Sequence, residues 1–276
     1  MNALPPCYTS HLFRPLAAEL IQLLRSLSAD DWQRQTIAPQ WQVRDVGAHL
    51  LDVTLRRIAA NRDRHFAPIE RPPSNERELT TFINALNAGG VSFAARLSPR
   101  LITDLLEVTT NWLADVIEAM PPNDVAVFAV SWAGQSESHN WMDIGREYTE
   151  HWHHQMQIRD ATSRPLLLLA PRWMEPLLDL SVRALPHAYR EVAAAPGAAI
   201  TLIVDGPTSG TWTLTRDEGE WRISAGDSDA AKAVVRVAAD TVWRILYNAP
   251  FDRGQLRIEG DAALAAPLLA TRSVIV

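Results

Sequence analysis

The sequence predicts a two-domain protein of the α plus α/β type, an antiparallel helical bundle followed by a smaller α+β domain. Three observations carry that expectation. The chain has 276 residues, enough for two domains of ordinary size. Apolar residues recur at helical spacing from residue 10 to about 163. Beyond Arg164-Pro165 the pattern changes to short β-branched runs broken by Gly, Asp and Glu. The expected division is therefore 1–163 and 164–276.

Each element has its own justification. Leu12, Leu16, Leu20, Leu23 and Leu24 share one face of a first helix, with Ser10 as its N-cap. Val46, Leu50, Val53 and Leu55 mark a second over about 43–64, which Pro68, Pro72 and Pro73 bring to an end. A third covers 75–96, its centre weakened by Gly89-Gly90. Ser98-Pro99 is a cap and first-turn pair for a fourth, running to Met120 before Pro121-Pro122. The last spans about Trp141 to Thr162. Long helices with shortish connections favour antiparallel neighbours. In the second half, a helical region at about 171–194 leads into AAAPGAA, which reads as a flexible joint. AAITLIVDG, GTWTLTR, EWRISAG and AVVRVAA follow as strands, then a helix at 239–248, a closing strand in LRIEGD and a short last helix.

Composition excludes several classes of function. Apolar residues make up 47% and charged residues 21%, the profile of a soluble globular protein. The net charge is −6, and the 26 basic residues, with Lys232 the only lysine, form no stripe; no nucleic acid partner is expected. No apolar run approaches the ~20 residues that span a bilayer, so no membrane partner is expected either. The N-terminal stretch lacks a basic segment followed by a long apolar run, and a cytoplasmic protein is anticipated. Cys7 stands alone, which rules out an intrachain disulfide and cysteine-based zinc modules.

The chemistry-bearing pattern is EHWHH at 150–154. In a helix, Glu150 and His154 lie one above the other on the same face, so a carboxylate and an imidazole can approach one ion. A third ligand must come from another helix. His49 is the best candidate, set mid-helix among small and apolar residues in VGAHLLDV, because bundle interiors assemble metal sites from facing helices. Two histidines and a carboxylate suit catalytic zinc with one position open, and equally non-haem iron. A thiol in that position would be held as thiolate. Lone helical histidines and Glu-x-x-x-His pairs also arise without any ligand role, so spacing alone leaves the site open. His151 and His153 fall on other faces, where they would support the ligands or meet solvent. Trp32, Trp41, Trp112, Trp141 and Trp152 read as core and domain-contact residues, and Trp132 as a loop residue bordering a pocket. Arg222, Arg236 and Arg244 could reach a carboxylate substrate or pair on the surface.

A family resemblance sharpens this. WQVRDVGAHLLDV, residues 41–53, resembles the W-x-V-R-D-V-x-A-H-L pattern of the mycothiol-dependent maleylpyruvate isomerase N-terminal domain, in the DinB-like group of metal-binding four-helix bundles. REYTEHWHHQMQIRDAT, 146–162, is similar to the family's second signature. GTWTLTRDEGEWRISAG, VWRILYNAPFD and LRIEGDAAL resemble the sterol-carrier-protein-like C-terminal domain fused to it. The resemblance implies a divalent metal, zinc foremost, on His49, Glu150 and His154. It implies a low-molecular-weight thiol, mycothiol or another, as cosubstrate, and a small-molecule substrate for which Arg159 and Arg222 are candidate contacts. The implied reaction is thiolate addition to a double bond, rotation and elimination to the trans product; an S-transferase would stop after addition. Homodimers occur among such bundles. Two departures stand out. Gln42 replaces the usual Thr or Ser N-cap, an expected cost of roughly 1 kcal/mol, and Gln157 stands where the family often carries Asp. The competing readings are a non-catalytic metal- or lipid-binding regulatory protein and a metal-dependent hydrolase with water in the open position.

Overall fold

The computed structural model describes residues 2–69 and 71–274, which form two compact units. Among the described residues, one comprises Tyr8–Ala129 and Glu137–Leu166; the other takes residues 2–7, Val130–Ser136 and residues 167–274. Two short stretches before residue 163 thus belong with the later part of the chain.

The helical unit contains α1 (Phe13–Arg25), α2 (Val43–Asn61), α3 (Glu76–Ala94), α4 (Pro99–Glu118) and α5 (Asn140–Ala161). A 3-10 turn over Ser10–Leu12 precedes α1, and its cap position is Thr9 rather than Ser10. Leu16, Leu20, Leu23 and Leu24 of α1 are buried, as are Val46 and Leu50 of α2 and Ile102 and Leu106 of α4. Their spacing is that of one apolar stripe per helix. Ser98 Oγ accepts from Leu101 N at 3.2 Å at the start of α4. At the start of α2 the Asp45 carboxylate accepts from Gln42 N at 2.9 Å. The expected weakness of Gln42 as a cap is thereby offset by a residue one turn further on. Gly89-Gly90 does not break α3. A Cβ at Gly90 would collide with the Asp52 carboxyl, so glycine here serves the close approach of α3 to α2.

Helix α5 departs from the amphipathic rule. Nearly every side chain from Asn140 to Arg159 is buried, although Asp143, Glu147, His151, His153, His154, Gln155, Gln157 and Arg159 are polar. Buried polar groups are costly unless partnered, and many of these partner one another or α2. Arg57 of α2 bonds Asp143 and lies 3.6 Å from Glu147. Arg146 sits 2.8 Å from Asp143, and His151 3.5 Å from Glu147.

The other unit is built on one six-stranded sheet. Its strands are β1 (Asn2–Ala3), β2 (Ala199–Asp205), β3 (Gly210–Asp217), β4 (Glu220–Ala225), β5 (Ala231–Ala238) and β6 (Arg257–Gly260). The order is β1-β4-β3-β2-β5-β6; β2 and β5 are parallel and every other pair antiparallel. Four helices accompany it: α6 (Pro171–Ser181), α7 (Leu185–Ala188), α8 (Ala239–Leu246) and α9 (Ala262–Ala270). The helical stretch expected over 171–194 is therefore shorter and divided. AAAPGAA is a turn rather than a joint: Gly197 has φ +80° and its N–H bonds Arg216 O at 2.8 Å, feeding the chain directly into β2. Tyr189 ties α9 in place, donating to Leu264 O and accepting from Leu268 N.

Candidate metal centre

His49 stands in the middle of α2, and Glu150 and His154 one turn apart on α5. The two helices present them to each other. Glu150 Oε1 lies 2.9 Å from His49 Nε2 and 3.2 Å from His154 Nε2. One donor atom from each of the three residues falls within 4.8 Å of the others. Both imidazoles are buried, while the Glu150 side chain keeps 22% exposure, so the cluster sits at the edge of the core with one accessible side.

The protonation pattern follows from the partners. His154 Nδ1 is 2.9 Å from Gln157 Oε1. An amide oxygen only accepts, so the His154 Nδ1 proton points at Gln157 while Nε2 faces Glu150. Two lone pairs at that separation repel unless a proton or a cation lies between them. Burial, then the neighbouring His154, pushes His49 below the usual histidine range. Burial alone would raise the Glu150 carboxyl, but His154 and His49 outweigh it and hold it well below the usual carboxylate range. His49 Nδ1 is buried and has no hydrogen-bond partner among the described residues. A carboxylate oxygen beside two imidazole nitrogens is a donor set for a divalent cation.

Two neighbours close in on these rings. Trp41 packs its ring at 4.7 Å from His49 and 5.8 Å from His154, centroid to centroid. His153 lies 3.9 Å from His154, its Nδ1 on Thr149 O at 2.9 Å; burial and the adjacent His154 push it down to about 3, so it is neutral. Trp41 had the look of a core residue in the sequence, and its role beside the cluster was missed because it precedes α2 and shares no periodicity with His49. Gln157 was noted only as a departure, although its spacing three residues after His154 puts it on the same helical face. His151 and His153 are both buried; neither meets solvent.

The other expected contacts have different surroundings. The Arg159 guanidinium bonds Gln155 Oε1 at 3.0 Å and Pro165 O at 3.2 Å within the helical unit. Arg222 is exposed on β4, 3.5 Å from Asp217 and 3.8 Å from Glu220. Arg236 pairs with Asp205 and Arg244 with Asp240, the surface outcome. Trp112 is not a core residue: it is 47% exposed, with the Arg62 guanidinium 5.9 Å above its ring. Trp132 is buried in the sheet-containing unit.

The molecule is thus of a defined class, a mixed helical and sheet protein in two parts whose helical part gathers two histidines and a glutamate around one point. Residues 13–159 match the family described as the mycothiol maleylpyruvate isomerase N-terminal domain, more than half of the chain, and the chain belongs to that family. Among solved structures, it is similar to the crystal structure of the mycothiol-dependent maleylpyruvate isomerase, at 13% identity and a TM-score of 0.56 over 95% of this chain and 98% of that one. A histidine-to-alanine mutant of the same enzyme matches at 13% identity and a TM-score of 0.53, with the same coverage. These likenesses establish the shared fold. No curated protein matched by sequence. No helix of the described residues is long and apolar enough to cross a membrane.

Proposed function

We propose that the chain is a thiol-dependent enzyme of the maleylpyruvate isomerase or S-transferase type, and that His49, Glu150 and His154 hold a divalent cation, zinc foremost. In this reading the helical unit is a DinB-like four-helix bundle and the later unit a sterol-carrier-like domain. The observation that carries it is the convergence of three donor atoms within 4.8 Å in a chain of this family. A cation bound there would lower the pKa of a thiol and supply a thiolate at neutral pH.

The chain's own residues supply the setting. Glu150 offers one negative charge and the two imidazoles none, so a loaded centre keeps net positive charge and favours an anionic sulfur. Trp41 covers both imidazoles and limits water around them, which strengthens electrostatic attraction at the site. Addition of the thiolate to a cis double bond, rotation about the resulting single bond and expulsion of the same thiolate would give the trans product. Ending after addition, with a proton taken up from solvent at the adjacent carbon, would give a thioether instead.

The test is an assay of the zinc-loaded protein with a panel of low-molecular-weight thiols and cis-unsaturated oxo acids. Isomerisation or thioether formation that needs protein, metal and thiol together is the expected result. No turnover from fully loaded protein with any thiol would sink the enzyme reading and favour a metal-dependent binding protein.

A further inference from the structure

We propose that Gln157 is the positioning residue of this centre: its side-chain oxygen fixes which nitrogen of His154 carries the proton, and so keeps Nε2 available as a ligand. The inference rests on the metal reading above and adds a residue to it. His154 has two places to put its proton. On Nε2, the proton would point at Glu150 and block coordination. On Nδ1, it meets Gln157 Oε1 at 2.9 Å. Both side chains are buried, so little water competes for the Nδ1 position, and the amide oxygen decides the tautomer. Metal-bound histidines generally need such an acceptor behind them, and its loss typically costs 10–100-fold in metal affinity.

The residue type has a second consequence. An amide accepts the Nδ1 proton without adding charge, whereas a carboxylate in the same place would add a negative charge and make the imidazole more electron-rich. With Gln157 the centre therefore retains more positive charge for an incoming anionic ligand. Helix geometry makes the contact possible, because residues three apart on α5 are neighbours on its surface. No other described side chain is bonded to His154 Nδ1.

Zinc affinity of the whole protein, measured by competition with a chromophoric chelator, tests this in three variants. Gln157→Met keeps nearly the same shape and removes the strong acceptor, and should weaken zinc binding roughly 10–100-fold. Gln157→Glu can only accept at that position, and should bind zinc at least as tightly as the parent protein. Thermal melting of each metal-free variant reports folding separately. Rescue by Glu but not Met is a pattern that a packing role would not produce. If Gln157→Met matches the parent, or Gln157→Glu loses zinc, Gln157 is not the acceptor and this inference fails alone. If the parent and His154→Ala proteins fail to bind zinc alike, the metal reading itself falls, and this inference with it.

Discussion

Replacing His154 by alanine is expected to take bound divalent metal from about one ion per chain to none that survives dialysis. The proposed centre draws three ligands from two helices, and His154 supplies one of its two nitrogens. Without it, Glu150 and His49 remain as a two-point contact, too few for a stable site of this kind. The effect should exceed that of any Gln157 variant, which leaves all three donors in place. Folding should survive the change, since alanine is the best helix former and α5 packs against both α1 and α2. Elemental analysis of the purified protein beside the variant measures this. Full metal occupancy in the variant would refute the ligand assignment.

The second large effect concerns stability. Arg57→Ala should destabilise the helical unit by about 3 kcal/mol, because it removes one of the two cations that face a pair of buried carboxylates and leaves Arg146 alone with both. The Arg57, Asp143 and Glu147 side chains are at most 4% exposed. Burial would raise Glu147, but His151, Arg57 and Arg146 outweigh it and bring the carboxyl down to about 2. Its folded value thus lies below its unfolded one, so its stabilisation is complete above the ordinary carboxylate range and is lost as pH falls toward 2. The variant should therefore also unfold at higher pH on acidification. Denaturant titrations across pH measure both effects; a loss under about 1 kcal/mol would place this cluster with ordinary surface pairs.

Much of the fold was legible because it is written in periodicity. Leu16, Leu20, Leu23 and Leu24 had to share a face, and Ser98-Pro99 had to start a helix. What escaped notice was written in tertiary contact. β1 is two residues long and gains meaning only by pairing with β4. Gly90 looked like a defect until the Asp52 carboxyl explained it. Trp112 has a core residue's composition and a surface residue's position.

The candidate site divides the same way. Glu150 and His154 follow from helix geometry, and His49 from its apolar setting together with the resemblance around it. Trp41 could not be read from spacing, since nothing local aims a loop tryptophan at two histidines on different helices. Gln157 could have been, by extending to the next turn the face argument that joined Glu150 to His154. Arg159 and Arg222 drew attention through charge alone. Charge does not say whether a guanidinium is already committed, and both have partners in their own units.

The central claim is that this centre takes a thiolate sulfur, and cobalt-substituted protein tests it most directly. On titration with a low-molecular-weight thiol, the account predicts an intense near-ultraviolet sulfur-to-cobalt absorption that saturates and is absent from His154→Ala. Cobalt bound in full, with a spectrum that no thiol alters, would contradict it.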